Sequence, residues 1–153
     1  MKPYQVSAVR RIDAAPERVF DILADYRVGH PAILPKRFFT GLEVEQGGYG
    51  AGTVIRYGMR AAGRVNRARA AVTEPVPGRV LVETDLGGRG IVTTFTVTPA
   101  RDGGSQVEFA TDIPSRGGPL GALERWFVRR YLRRVYAEEL QLLAERATSP
   151  AEA

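Results

Sequence analysis

The strongest constraint on this chain lies near its end, where a helix-period pattern runs from Leu120 to about Arg146 without a proline. A helix of that length exceeds the mean of about 11–12 residues, and most of its stability must come from burying one side against a large partner. Placing successive residues about 100° apart puts Leu120, Phe127, Tyr131, Val135 and Leu142 on one stripe, flanked by Leu123, Val128 and Leu132. This stripe is the expected core face. Arg125, Arg129 and Arg133 fall on the opposite arc, and Trp126 and Tyr136 lie outside the stripe.

The rest of the chain must supply the partner, and it reads mainly as strands. Tyr4 to Ile12 alternates, with Tyr4, Val6, Ala8 and Arg10 on one side. Pro16 and Glu17 then suit the first turn of a short helix that runs to about Asp25. Gly29, Pro31 and Pro35 break the following segment into a short helical piece and loop, with His30 near its middle. Strands are expected over Phe38 to Glu45, Thr53 to Arg60, Arg64 to Glu74, Arg79 to Asp85, Ile91 to Thr98 and Gln106 to Ile113. Short glycine-rich turns join them, so neighbours are antiparallel. The predicted fold class is α+β, a curved antiparallel sheet of about seven strands around a C-terminal helix, with two short helices between the first two strands. Residues 1–147 form one domain in this reading, and 148–153 a disordered tail.

Strand alternation turns Ile55, Tyr57 and Met59 inward, together with Phe95 and Val97 and with Val107, Phe109 and Thr111. On another strand Asn66, Ala68, Ala70 and Val72 face in while Arg67 and Arg69 face out. Small residues there leave room. A twisted sheet cannot lie flat along a straight helix, so either bulky side chains fill the gap or a cavity remains.

Composition closes several routes. The chain has no cysteine and a single histidine, His30, which excludes disulfides and thiolate chemistry and argues against zinc. No metal and no cofactor are expected. The N-terminus lacks a signal-peptide run and no stretch approaches the roughly 18 apolar residues of a membrane span, so a cytoplasmic setting is expected. The net charge of +5 comes almost wholly from arginine, since Lys2 and Lys36 are the only lysines among 22 basic residues. With abundant Ala and Gly this suggests a GC-rich bacterial genome, which weakens any inference from charge to nucleic acid.

The segments Ala15-Pro16-Glu17-Arg18-Val19-Phe20-Asp21-Ile22-Leu23-Ala24-Asp25-Tyr26, Gly47-Gly48-Tyr49-Gly50-Ala51-Gly52-Thr53, Thr73-Glu74-Pro75 and Pro119-Leu120-Gly121 carry a family resemblance. In their order along nearly the whole chain, they resemble the START-like, helix-grip (SRPBCC) superfamily of polyketide cyclase/dehydrase-type proteins. The resemblance implies a cavity between sheet and terminal helix that holds a small hydrophobic or aromatic molecule, a lipid or a quinone. It implies no one reaction and no universal catalytic motif.

Two residues are candidates for proton transfer. Glu124 falls within the apolar stripe, as does Glu138, and a carboxylate in a partly dry pocket can serve as acid or base; the alternative is an arginine partner at a pocket entrance, or an exposed helix end at Glu138. His30 is either a proton-transfer group near the cavity mouth or an exposed loop histidine. Tyr26, Tyr57, Met59, Asn66, Phe95, Phe109, Phe127 and Tyr131 are the expected ligand contacts. The leading expectation is a hydrophobic-ligand protein of the polyketide cyclase/dehydrase type, whose catalytic form would carry out cofactor-independent cyclisation, dehydration or isomerisation. A noncatalytic carrier or sensor of a quinone or lipid uses the same pocket. A third class is protein or RNA binding through Arg129, Arg130, Arg133 and Arg134, though no base-stacking platform accompanies them and nucleic acid is disfavoured. A homodimer is left open.

Overall fold

The computed structural model describes residues 3–150. Its elements are β1 (Tyr4–Ile12), α1 (Pro16–Ala24), α2 (Gly29–Ala32), β2 (Glu43–Gln46), β3 (Val54–Ala61), β4 (Arg64–Val76), β5 (Val80–Asp85), β6 (Val92–Pro99), β7 (Ser105–Ile113) and α3 (Gly118–Thr148). The strands form one seven-stranded antiparallel sheet in the order β1-β7-β6-β5-β4-β3-β2. Together with the long terminal helix this is the helix-grip arrangement. The expected tail begins too early, because α3 continues through Thr148, and residues 151–153 lie outside the described residues.

Local chemistry explains the turns that place the later site. Ala62 and Gly63 both have positive φ, 52° and 73°, and join β3 to β4 across the Ala61–Arg64 pair. Two such residues match the right-handed strand twist of a tight hairpin. After α1, the Asp25 carboxylate accepts the Arg27 and Val28 amides at 3.1 Å each, turning the chain into α2. Gly29 then packs so closely on α1 that a Cβ would stand 2.5 Å from the Ile22 carbonyl oxygen. That approach carries His30 into the interior.

The expected strand over Phe38 to Glu45 is shorter in fact, with β2 starting at Glu43. The Phe38 and Phe39 amides turn back to the Pro35 carbonyl, so this segment meets β3 only through an isolated Phe39–Met59 bridge and neighbouring backbone bonds. The inward faces of the sheet match the expected alternation: Ile55, Val72, Phe95, Val97, Val107 and Phe109 are buried, and Phe95 meets Phe109 edge-on at 4.8 Å.

The expected phase of α3 is corrected. Its interior face is Val135, Tyr136, Glu139, Leu140, Leu143 and Ala147, whereas Leu120, Leu123, Trp126 and Phe127 are 81%, 54%, 55% and 57% exposed. Apolar residues lie on different sides of the two halves of this helix, so one stripe drawn along its length cannot describe both. The C-terminal end is held from α1, where Arg18 donates to the carbonyls of Ala147 at 2.7 Å, Ser149 at 3.1 Å and Arg146 at 3.2 Å. A cation there satisfies orphan carbonyls and complements the helix dipole.

Candidate functional site

The gap between sheet and helix is not filled. A cavity of about 120 Å³ remains, walled by apolar side chains that include Ile55, Met59, Ala68, Ala70 and Phe95. Solvent-exposed Asn66, Arg69 and Arg89 mark where it opens. Among these walls stand polar groups from four elements: His30 of α2, Glu83 of β5, Thr111 of β7, and Tyr136 and Glu139 of α3. All five are buried.

Glu83 is tied into a network. The Tyr26 hydroxyl donates to its Oε1 at 2.8 Å, and His30 Nε2 lies 3.7 Å from the same oxygen. His30 Nδ1 is 2.7 Å from the Leu23 carbonyl oxygen. A carbonyl only accepts, so Nδ1 carries a proton, and Nε2 is the nitrogen that faces Glu83. Tyr26 stacks on the imidazole at 4.5 Å and Phe95 meets it edge-on at 5.5 Å, which fixes the ring.

Glu139 has no such support. Burial pushes its carboxyl well above the ordinary value, and the nearby Glu83 charge pushes the same way, with no hydrogen bond offsetting either effect. Burial also raises Glu83, but His30 and the Tyr26 hydroxyl oppose the shift. Of the three carboxyls lining the cavity, Glu83, Asp85 and Glu139, burial pushes Glu83 and Glu139 toward the neutral acid, and only at Glu83 do neighbouring groups oppose that push. Burial lifts the Tyr57 and Tyr136 phenols above their ordinary 10.0, keeping both protonated, and the Tyr136 hydroxyl is hydrogen-bonded to Thr111 Oγ1.

The family model described as polyketide cyclase / dehydrase and lipid transport matches residues 3–148. The chain belongs to this family. Among solved structures it is similar to the KanY protein, with 30% identity and a TM-score of 0.84 over 97% of this chain and 100% of that one. It is also similar to the Zhui aromatase/cyclase from Streptomyces sp. R1128, with 18% identity and a TM-score of 0.79 over 99% of this chain and 97% of that one. A START superfamily protein from Mycobacterium smegmatis matches at 15% identity and a TM-score of 0.72, over 94% and 96% of the two chains. The last two likenesses concern the fold. No curated protein matches by sequence. Family and fold together make this a small-molecule-binding protein.

Within this polyketide cyclase/dehydrase-family cavity, the expected contacts separate into groups. His30, Tyr57, Met59, Asn66 and Phe95 line it. His30 is buried rather than an exposed loop residue. Tyr26 and Phe109 sit behind the wall, Tyr26 holding Glu83 and Phe109 supporting Phe95 and Tyr136. Tyr131 is half-buried and donates to the Arg60 carbonyl at 2.6 Å. Phe127 points to solvent.

Glu124 is exposed on α3, 3.8 Å from Arg116, and Glu138 pairs with Arg37. Neither lines the cavity. Glu83, Asp85 and Glu139 do, and none of them was a sequence candidate, although Glu83 and Glu139 each had a signal. Glu83 alternates with buried Leu81, so it shares that inward face. Glu139 lies three and four residues from Tyr136, Val135 and Leu143, which become its neighbours once the helix phase is set by its C-terminal half. Among the described residues, no group of three or more His, Cys, Asp or Glu is arranged to hold a metal ion.

Proposed function

We propose that this cavity binds a compact aromatic or polycyclic guest and catalyses cofactor-independent cyclisation, dehydration or isomerisation. The observation that carries the proposal is the pair of buried carboxyls, Glu83 with a histidine and a tyrosine and Glu139 with neither, opening onto one apolar cavity. In this reading the Glu83–His30 pair removes a proton from carbon next to a guest carbonyl. Glu139 delivers a proton to the carbonyl oxygen, or to a hydroxyl that departs as water. Tyr57 orients the guest. Glu124 takes no part.

A carrier of a quinone or lipid is the second reading, supported by the apolar walls and by the transport function in the family description. The compact volume favours a ring system over a long acyl chain. Turnover of a panel of aromatic polyketide-type β-ketones distinguishes the two readings. Glu139→Gln is expected to slow turnover about 10²–10⁴-fold, the usual contribution of a positioned acid or base, while Glu124→Gln leaves it unchanged. Full turnover in Glu139→Gln removes Glu139 from the mechanism. An intact hydrophobe retained in native mass spectrometry, with no turnover, moves the assignment to carriage.

A further inference from the structure

The N-terminal half of α3 presents a second surface that the cavity chemistry does not use. Leu120, Leu123, Trp126 and Phe127 are all exposed. Spaced three, four and seven residues apart, they share a face of the helix turned away from Tyr136, Glu139 and Leu143. The same face continues into Arg130 and Arg134, and the Arg130 guanidinium lies 5.7 Å from the centre of the Trp126 ring. The one acid in this half, Glu124, is balanced by Arg116 at 3.8 Å.

The charges decide what covers this face. A parallel pairing with a second copy sets Arg130 and Arg134 against the same arginines, and an antiparallel pairing offers them apolar side chains and Glu124 alone. Each copy also carries a net charge of +5. An anionic bilayer surface satisfies both parts of the patch, with leucine, tryptophan and phenylalanine at the headgroup–acyl boundary and arginines among the phosphates. We infer that the N-terminal half of α3 docks this protein on anionic lipid surfaces, with Trp126 and Phe127 as the inserted residues.

Trp126 is the only tryptophan, so its emission reports insertion directly. The full-length protein is mixed with phosphatidylcholine vesicles containing phosphatidylglycerol, or with phosphatidylcholine vesicles alone. Co-sedimentation and a blue shift of Trp126 are expected with the first and not the second, weakening as salt rises. The pairs Leu123→Ser with Phe127→Ser, and Arg130→Glu with Arg134→Glu, are each expected to reduce partitioning roughly tenfold or more. Circular dichroism checks that both pairs remain folded, and Glu139→Gln in the cavity leaves binding unchanged. Failure to co-sediment with anionic vesicles overturns the inference. So does binding without a Trp126 shift, which is adsorption by charge alone. A soluble dimer that Phe127→Ser dissociates, with no vesicle binding, assigns the face to a second copy instead.

Discussion

Before Tyr131, α3 holds two leucines, a tryptophan and a phenylalanine in solvent; after it, the same helix buries a glutamate among Val135, Tyr136, Leu140 and Leu143. Composition alone does not separate these halves, since both mix leucine and aromatic residues with arginine. The first half meets β1 through Arg129, which donates to the Gln5 carbonyl and lies over the Tyr4 ring, and Arg125 ties it to Ser115 of the preceding loop, while the second half packs on the sheet and α1. Burial along a long helix is set by what stands opposite each turn. The buried half therefore builds the core and one wall of the cavity, and the exposed half is left facing solvent.

The largest test of this division is Leu143→Ala. Leu143 is fully buried in the core cluster, so truncation loses transfer energy and leaves a void, at an expected cost of about 2–5 kcal/mol. Urea denaturation measures it directly. A cost near zero would show that the C-terminal half is not anchored as described.

Glu139→Gln sharpens the chemical side of the comparison and has the opposite sign. The carboxyl is protonated in folded and unfolded chains below its ordinary value of 4.5, where burial costs nothing through ionisation. Above 4.5 the unfolded chain releases a proton that the folded protein retains, so stability falls as pH rises until the raised folded value is passed. Replacing the acid with a neutral amide removes that slope. At neutral pH the variant is expected to be more stable by roughly 1–3 kcal/mol, since each pH unit over which the folded chain keeps the proton contributes about 1.4 kcal/mol, and the gain should vanish near pH 4. A stability difference independent of pH would mean that Glu139 ionises as freely inside as outside. Stabilisation combined with lost turnover is the pattern of a functional group kept at a cost to the fold.

The sheet was readable because strand alternation is a local rule. Ile55, Tyr57 and Met59, and likewise Phe95 and Val97, took the inward face that the period of two assigns them. Helix phase is less local, since a 31-residue helix can change the surface it meets along its length, and Leu120 and Phe127 drew the stripe toward the half that faces water. That single displacement moved the acid search from Glu139 to Glu124. Glu83 was overlooked for another reason: a carboxylate within Val80-Leu81-Val82-Glu83 reads as a solvent-facing strand residue unless its alternation with Leu81 is given more weight than its charge. His30 was singled out from the sequence, but its burial depends on the close approach of Gly29 to Ile22, which no linear pattern displays.

The smallest expected effect is Phe127→Ala, and its smallness is the informative part. Phe127 is 57% exposed and meets Trp126 edge-on at 4.9 Å. Losing an aromatic contact of this kind costs on the order of 0.5 kcal/mol at a surface. Alanine is the better helix former by about 0.5 kcal/mol, so the two contributions nearly cancel. Urea curves for Phe127→Ala should therefore overlay the parent within about 0.5 kcal/mol. A loss approaching that of Leu143→Ala would place Phe127 in a packed contact in solution. The apolar face of the first half would then already be occupied, and a lipid surface would have to displace whatever held it.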